Sequence, residues 1–595
     1  MQDDILLQVN KPARYIGNEW NVSRKDFEKA NIKFALCFPD LYEIGMSNLG
    51  MRIIYSVLNN TPDVTCERFF SCAQDMENVL RSNRMGIFSL ESKRRLNEFD
   101  LIGFSLSYEL DYTNVLNMLE LGSIPLKSSL RGHNYPLVIG GGPCTLNPEP
   151  MCEFFDLFVI GEAEEVIIEI VDIYREFKNK FKASTISKQD LLIAVSGIEG
   201  VYVPSLYDVV YDSQGKIEKF KPKVAGVPVR VKKRFVKDLD SVYFPLDWLV
   251  PFIQIIHDRI TLEIMRGCPN RCRFCQARTQ YFPFRQREIK NILNLSCEAY
   301  KRTGYEELSL GGLSVSDYSG IEELLVRLVD LFKEKAVSVA LPSIKPRTMV
   351  GNLSSLIATI KKTGLTFAPE AATERLRKIL NKDFDFNDFI RAIEQAYISG
   401  YQRIKLYFMI GLPFENQDDL DAIFDFATYV SDLRQKVNPH PSAAKRKNTS
   451  RKGGVNISIN TLIPKPHTPF QWLKMEDMDN IESKQDYLRR KVRKNKRLRV
   501  SLHNPKMSLL EGVFSRGDRR LSGVILSAFT KGARFDAWDN YFMFDKWTEA
   551  FCESRIDPNF YLREKLKDEI LPWDFLDTGI EKGVLLAEFN KTIAV

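Results

Sequence analysis

The sequence predicts an α/β protein with two successive layers of parallel strands and a small helical cap at its C-terminal end. Strand-like apolar runs alternate with helical stretches from Ile32 to Glu162, and again from Arg259 to Pro464. A chain of 595 residues is also too long for one hydrophobic core, so several domains are expected.

Changes in this pattern divide the chain into four predicted segments. The hairpin-like stretch Tyr207–Phe220, with a turn at Ser213–Gly215, marks an irregular connector between the two layers. The predicted segments are an α/β domain at 1–183, the connector at 184–257, a second α/β layer at 258–500 and a helical extension at 501–595.

Composition and charge favour a water-soluble, cytoplasmic protein. Hydrophobic residues make up 44% of the chain and charged residues 27%, which is ordinary for a globular protein. The N-terminal stretch is polar, and no apolar run is long enough to cross a bilayer, so no membrane partner is expected. Ten cysteines in a chain of this length do not form a disulfide framework.

The loops after the strands of the first layer are rich in small residues. Ligands of open parallel sheets bind beside the carboxyl ends of the strands. The loops at that edge have the sequences PDLYEIGMSNLG, SLSYELDY and GGGPCTLNPEP. They form the predicted ligand-binding edge of the N-terminal domain.

A C-x3-C-x2-C motif follows the first strand of the second layer. The residues between Cys268, Cys272 and Cys275 are short, basic or turn-forming, so the backbone can direct three sulfurs inward. Three thiolates fill three corners of a cubane iron–sulfur cluster and leave one iron open for a chelating molecule. The alternative is a zinc knuckle, which needs a fourth ligand near the motif, and only His257 and Cys297 are available there. The motif therefore predicts a 4Fe-4S cluster.

The motif and its flanks resemble the radical S-adenosylmethionine (SAM) superfamily, in which an aromatic residue, here Phe274, precedes the last cysteine. In that superfamily SAM chelates the open iron, and one electron splits it to a 5′-deoxyadenosyl radical. The resemblance implies a partial (β/α)6 barrel, and a one-electron donor such as flavodoxin or ferredoxin as partner. The six strand units are TLEIM, ELSLGG, VSVALPSI, LTFAPEA, RIKLYFMIGLP and VNISINTLIP.

The same resemblance implies SAM contacts at the ends of successive strands. Gly311 and Gly312 stand where the superfamily meets the SAM amino group, but no acidic residue follows them directly, so backbone carbonyls would have to make that contact. Glu370 is placed to hold a ribose hydroxyl or the amino group, and either Arg375 or Arg377 to pair with the SAM carboxylate. The predicted SAM contacts are Phe274, Gly311, Gly312, Ser343, Glu370, Arg375 and Ile410.

The three N-terminal loops resemble, in order, those of cobalamin-binding domains with a Rossmann-like fold. The first loop of that pattern is D-x-H-x-x-G, whose histidine ligates cobalt, and here Tyr42 replaces the histidine. A neutral phenol is a poor cobalt ligand, so the resemblance implies cobalamin with no protein nitrogen on its lower face. A Rossmann-like domain without a cofactor is the alternative. The implied cobalamin contacts are Asp40, Tyr42, Gly45, Ser105, Gly140, Gly141 and Gly142.

Further stretches extend the resemblance to cobalamin-domain radical SAM proteins over nearly the whole chain; they read NTLIPKPHTPFQW, SRGDRRLSGVI and LPWDFLDTGI. The implied function is reductive cleavage of SAM, with cobalamin-dependent methyl transfer to an unactivated carbon. The alternatives are a non-methylating radical SAM enzyme that modifies RNA or protein, and a non-catalytic RNA- or ribosome-binding factor with a structural cluster. No catalytic residue beyond the cofactor contacts is indicated.

Two basic tracts raise the question of an RNA or ribonucleoprotein partner. One is residues 445–452, and the other, Lys484–Arg499, has nine Lys or Arg against one acidic residue on a predicted helix. A solvated helix face is one interpretation, and contact with RNA phosphates is the other. Few aromatic residues interleave the second tract, so base stacking is not expected.

Overall fold

The computed structural model describes residues 2–182, 186–340, 365–382, 384–398, 401, 403–437 and 454–593. The predicted SAM contact Ser343 and the basic tract 445–452 lie outside these residues. In the described part, parallel sheets packed with helices confirm the predicted mixed α/β class. No helix there is both long enough and apolar enough to span a bilayer.

Nineteen strands lie in the described ranges and are numbered in chain order. The first nine are β1 Ile32–Phe38, β2 Val64–Phe70, β3 Leu101–Ser105, β4 Leu137–Gly141, β5 Leu157–Val159, β6 Val201–Tyr202, β7 Tyr207–Tyr211, β8 Ile217–Pro222 and β9 Val231–Lys232. The others are β10 Ile260–Glu263, β11 Met265–Arg266, β12 Arg285–Gln286, β13 Glu307–Gly311, β14 Ser338–Ala340, β15 Leu365–Glu370, β16 Ile404–Ile410, β17 Val455–Thr461, β18 Leu498–Leu502 and β19 Leu576–Asp577.

The α-helices of the described part are numbered in the same way. Those before the second layer are α1 Gln2–Leu6, α2 Ala13–Ile16, α3 Tyr42–Gly45, α4 Leu49–Asn60, α5 Gln74–Ser82, α6 Tyr112–Leu121, α7 Val166–Lys182 and α8 Lys188–Ser196. The second layer contains α9 Ala277–Gln280, α10 Ile289–Thr303, α11 Ile321–Phe332, α12 Glu374–Leu380, α13 Phe386–Ile398, α14 Gln417–Val437 and α15 Met478–Arg493. The C-terminal helices are α16 Pro505–Arg516, α17 Leu521–Thr530, α18 Phe544–Ser554, α19 Asn559–Leu562 and α20 Lys582–Ile593.

The N-terminal sheet has six strands in the order β2-β1-β3-β4-β5-β6, and only β6 is antiparallel to its neighbour. The chain leaves β1 toward one edge and returns at β3 toward the other, so the point where the strand order reverses lies between these two strands. Strand β6 falls in the segment that the sequence analysis assigned to the connector. The predicted domain boundaries remain predictions.

Strand β2 was not predicted, and its charged residues explain why. Glu67 and Arg68 interrupt the apolar pattern of VTCERFF, yet every residue of the strand is buried. Arg68 keeps its charge inside because it pairs with Glu19 at 2.7 Å and Glu91 at 2.6 Å. The partners of Arg68 lie far from it in the sequence, so a local pattern does not reveal them.

The hairpin predicted in the connector is confirmed. Strands β7 and β8 pair in antiparallel register from Tyr207 with Pro222 to Tyr211 with Ile217. The Asp212 N–H donates to the Lys216 carbonyl across the turn at 2.9 Å, and Gly215 adopts φ +79°.

The second layer consists of two parallel sheets, β10-β13-β14 and β15-β16-β17-β18. Each of the six predicted units contains one of these strands, and β18 is an additional one. The prediction of a single helix over Lys484–Arg499 is wrong, because α15 ends at Arg493 and β18 begins at Leu498. Leu498 and Val500 alternate with polar residues, which is the period of a strand.

The C-terminal helices pack against both layers. Strand β19 pairs with β9, and the Asn147 side chain of the N-terminal domain donates to the Gly517 carbonyl at 2.8 Å. Three tryptophans of the C-terminal segment each find an acceptor for the indole N–H. These bonds join Trp538 to Asp40, Trp547 to Asp536 and Trp573 to Gln471.

Candidate functional site

The three cysteines of the motif lie together in the loop between β11 and α9, and all are half-buried. Gly267 opens this loop with φ +85°, and a Cβ there would lie 2.7 Å from the Tyr281 carbonyl oxygen, so glycine is required. The Arg273 N–H donates to the Leu380 carbonyl at 3.0 Å, and its guanidinium to the Ile379 carbonyl at 2.8 Å. The loop is thereby attached to the C-terminal end of α12.

The electrostatics of the loop show that the three sulfurs influence one another. The pKa of Cys272 is raised to about 11, chiefly by burial; the ammonium of Lys382 opposes this shift, and negative charge on Cys275 and Cys268 contributes to it. Thiolate ligands must be deprotonated to bind a metal, so a bound cationic centre has to offset this burial.

Asn270 and Lys382 are two polar residues that act on the sulfurs. The Asn270 side-chain amide donates to Cys268 Sγ at 3.3 Å and to Asp317 Oδ2 at 2.8 Å. Lys382 Nζ lies 2.8 Å from Glu370 Oε1 and 5.9 Å from the centre of the Phe274 ring. Glu370 occupies the left-handed region at φ +66°, a strained conformation for a residue other than glycine.

A cavity of about 430 Å³ lies on one face of the N-terminal sheet, where the strand order reverses. We refer to it as the slot. The sheet contributes mostly apolar side chains, and helices α4 and α7 cover the other side. At the carboxyl ends of the strands the slot is lined by Ser105, Ser107, Gly141 and Gly142, and on the side of the second layer by Glu263, Arg266, Gln280 and Tyr281.

A buried network of ion pairs connects the slot with the cysteine loop. Arg266, two residues before Cys268, pairs with Glu162 at 2.8 Å, with Glu164 at 2.7 Å and with Glu263 at 2.8 Å. Arg285 also binds Glu162, at 2.6 Å. Carboxylates from both layers therefore hold Arg266 beside the motif.

Two family models match the chain. Residues 50–204 match the model for the N-terminal region of radical SAM proteins, and residues 262–427 match the radical SAM superfamily model. The second range contains the three cysteines and their loop. The chain belongs to the radical SAM superfamily. The resemblance inferred from the cysteine motif is thus confirmed, and enzymes of this superfamily require a one-electron donor.

Individual relatives are more distant. The uncharacterized protein MJ0966 of Methanocaldococcus jannaschii is 28% identical over 530 residues, covering 89% of this chain and 98% of that protein. The radical SAM methyltransferase TsrM from Kitasatospora setae, solved with cobalamin and a 4Fe-4S cluster, is 14% identical with a TM-score of 0.46, covering 76% of this chain and 75% of that one. The cobalamin-dependent radical SAM enzyme OxsB is 12% identical with a TM-score of 0.46, covering 89% of this chain and 84% of that one.

The cysteine loop fits the cluster of a radical SAM domain. Three thiols share one loop, and the Asn270 N–H bonded to Cys268 Sγ is the kind of donor that stabilises a metal-bound thiolate. Among the described residues, no three His, Cys, Asp or Glu side chains converge on a single metal ion. The thiolates of a cubane cluster bind three different irons and need not converge in this way.

The predicted SAM contacts have different surroundings. Glu370 is linked to the cysteines through Lys382 and Phe274. In contrast, the Arg375 guanidinium is bound by Asp419 and by the Phe414 carbonyl. Ile410 is fully buried in the core, and its carbonyl accepts from Leu462 N–H at 2.9 Å. Gly311 ends β13 and Gly312 lies against Met265.

Asp317 was missed by the sequence analysis, which looked for an acidic residue directly after Gly312. The 3-10 turn Val315–Asp317 brings this carboxylate back to the cysteine loop, where it accepts hydrogen bonds from Asn270 and, at 2.6 Å, from Ser314. The only signal for Asp317 in the sequence is that an acidic residue lies within five positions of the glycines.

The first N-terminal loop reaches the slot through Asn48 rather than through Tyr42. Tyr42 does not line the slot: it is 2% exposed, and its hydroxyl donates to Glu19 Oε1 at 2.9 Å. Glu19 is held there by buried Arg68, an association that the sequence does not reveal. Asn48, further along the same loop, lines the slot instead, and its side-chain amide lies 3.4 Å from Ser107 Oγ.

The other predicted cobalamin contacts divide into two groups. Ser105, Gly141 and Gly142 line the slot. The structure does not bring Asp40, Gly45 or Gly140 to its wall. Asp40 accepts from the Trp538 indole, while Gly45 and Gly140 lie against the rings of Phe70 and Phe158 respectively.

The PKPHTPFQW stretch connects the cysteine loop with the N-terminal domain. The His467 carbonyl accepts from Thr279 Oγ1 of α9 at 2.8 Å, and its ring nitrogen Nε2 lies 3.0 Å from the Leu146 carbonyl oxygen. Burial lowers the pKa of His467 to about 3, so the ring is neutral. Lys465 is held between Glu109 at 2.7 Å and Glu511 at 2.9 Å.

The second basic tract is partly neutralised. Lys484 pairs with Glu415 at 2.7 Å, Lys491 with Asp421, and Arg497 with Asp432 at 2.7 Å. These carboxylates lie on α14 or just before it. The pairs account for these cations without an RNA partner, and the family matches do not support RNA binding.

Proposed function

We propose that this protein is a radical SAM enzyme that uses cobalamin to transfer a methyl group to an unactivated carbon. The observation that carries the proposal is the position of the slot. It lies where the strand order of the N-terminal sheet reverses, and it is continuous with residues of the radical SAM domain that flank the cysteine loop. A ligand there would have one end in the sheet and the other next to the cluster site.

Cys268, Cys272 and Cys275 are the residues that would hold the cluster. When bound, the cluster supplies one electron and an open iron for SAM, and cobalamin supplies a transferable methyl group. The chain orients these groups through Asn270, which donates toward Cys268, and through Lys382, which places a positive charge beside Cys272. Glu370, bonded to Lys382, is the carboxylate that we assign to SAM.

The slot suits the nucleotide tail of cobalamin rather than the whole cofactor. Its volume of about 430 Å³ and apolar walls fit a flat heteroaromatic base, and Ser105 and Ser107 at its mouth provide hydroxyls for the polar part of the tail. Asn48 extends this polar mouth.

The experiment separates the two cofactors. The anaerobically reconstituted protein is incubated with hydroxocobalamin, desalted, and given dithionite and methyl-labelled SAM together with extract of a strain that lacks the protein. We expect retained cobalamin, 5′-deoxyadenosine, and label in one class of acceptor. Cys268→Ala should retain cobalamin but not cleave SAM, whereas Ser105→Phe, which blocks the mouth of the slot, should cleave SAM but not retain cobalamin.

Other outcomes favour the alternatives. SAM cleavage with neither cobalamin retention nor labelled product would indicate a non-methylating radical SAM enzyme. A bound cluster that never cleaves SAM would indicate a structural role. The fraction that carries the methyl label identifies the substrate class, because RNA, protein and small molecules are separated before the label is counted.

A further inference from the structure

Gln280 is a buried polar residue at the wall of the slot. It is the last residue of α9, five positions after Cys275, and it lines the slot. The side chain is 5% exposed, and its Oε1 atom is buried without a hydrogen-bond partner among the described residues. A buried amide oxygen without a partner is destabilising, so a residue that carries one and lines a cavity is a candidate to bind a ligand there.

The backbone of Gln280 is held firmly. Its N–H donates to the Gln276 carbonyl at 3.0 Å, and its own carbonyl accepts from Lys233 Nζ at 3.1 Å. The same ammonium group binds the carbonyls of Thr279 at 3.0 Å and Phe282 at 2.6 Å. Lys233 is itself buried, and its ammonium group satisfies the carbonyls at the C-terminal end of α9. Only the side chain of Gln280 is then left to interact with a ligand.

The charged groups around the slot are already satisfied by one another. Arg266 is occupied by Glu162, Glu164 and Glu263, so it does not offer an unpaired charge to a ligand. A neutral amide oxygen in this setting accepts a hydrogen bond from a neutral N–H donor. The primary carboxamides around the rim of the corrin ring are such donors, and they can also accept from the glutamine amide.

We propose that Gln280 binds a peripheral carboxamide of cobalamin. The inference rests on the proposed function, because it requires cobalamin with its tail in the slot and the edge of its corrin ring at the second-layer side of the slot, where Gln280 lies. Gln280 would then be a positioning residue: α9 directly follows the cluster cysteines, so the hydrogen bond would fix the distance between the corrin ring and the cluster loop.

The test is the affinity of the reconstituted full-length protein for hydroxocobalamin, measured by equilibrium dialysis. Gln280→Met keeps the length of the side chain and removes both polar ends. We expect about a tenfold weaker Kd, the effect of one neutral hydrogen bond. The melting temperature without cobalamin should be unchanged or higher, since a buried unsatisfied oxygen is removed. Gln485→Met is the control, because that buried glutamine already donates to the His503 carbonyl at 2.8 Å.

A ligand series identifies the contact. In each cobalamin monocarboxylic acid, a single rim carboxamide is replaced. One of these acids should bind the wild type more weakly than cobalamin binds it. The same acid should bind Gln280→Met no more weakly than cobalamin binds that variant. Failure of the wild type to bind cobalamin would refute the proposed function itself. If the wild type binds and Gln280→Met binds equally well, the role of Gln280 is refuted. A lowered melting temperature with the weaker affinity would also refute it, by making Gln280 structural.

Discussion

Nη1 of Arg266 lies 2.8 Å from Oε2 of Glu162, and this ion pair joins the radical SAM domain to the N-terminal sheet two residues before the first cluster cysteine. Both side chains are about 6% exposed, so neither has water as a substitute partner. The pair lies between the slot and the cysteine loop, the two sites that the proposed reaction has to bring together.

Arg266→Met should destabilise the protein by about 3 kcal/mol, because it leaves buried carboxylates without their shared cation. Urea unfolding followed by circular dichroism measures this. Arg302→Met is the matched control: Arg302 pairs with Asp247 at 2.8 Å on the surface and should contribute less than about 1 kcal/mol. Equal losses in the two variants would contradict the structural role given to Arg266.

Cys268→Ala should remove both the brown chromophore and the cleavage of SAM, because the cluster loses one of its three ligands. Iron analysis after anaerobic reconstitution should find about four irons per chain in the wild type. Cys552→Ala changes an exposed cysteine outside the motif, and this variant should bind the normal amount of iron. A full complement of iron in Cys268→Ala would show that these cysteines do not hold the cluster.

Lys382→Met should lower the reduction potential of the cluster by tens of millivolts. A positive charge beside Cys272 stabilises the more negative, reduced cluster, and its removal also leaves Glu370 without its partner. Redox titration followed by electron paramagnetic resonance measures the change. Lys378→Met, on the neighbouring helix and paired with Glu374 at the surface, should shift the potential far less. Similar shifts in both variants would assign the effect to net charge alone.

Asp536→Asn should change the pH dependence of stability. Burial raises the pKa of Asp536 to about 6, although the Trp547 and Thr113 hydrogen bonds oppose the shift. Since this value exceeds the unfolded value of about 3.9, the protonated carboxyl group stabilises the fold fully below pH 4, and this contribution is lost as pH rises through 6. From pH 4 to 7 the wild type should lose about 2 kcal/mol relative to the variant. If the free energies of unfolding of the wild type and the variant change in parallel with pH, Asp536 is not responsible for the pH dependence.

The sequence by itself determined the family and most of the fold. The spacing of Cys268, Cys272 and Cys275 is a local property, because a short loop brings all three thiols together whatever surrounds it. The six strand units of the second layer were predicted for a similar reason: their apolar runs are continuous enough to identify without knowing their neighbours. The class of cofactor chemistry follows from these local signals.

Only the tertiary structure decided which residues of these loops line the slot and which approach the cysteines. Tyr42 and Asn48 belong to one loop, but Glu19, held by buried Arg68, draws the Tyr42 hydroxyl away from the slot and leaves Asn48 at its wall. Asp317 likewise reaches the cysteine loop through Asn270. Each of these side chains is placed by a partner that is distant in sequence. Because burial and hydrogen bonding between distant segments decide where a polar side chain lies, a local sequence pattern cannot specify it.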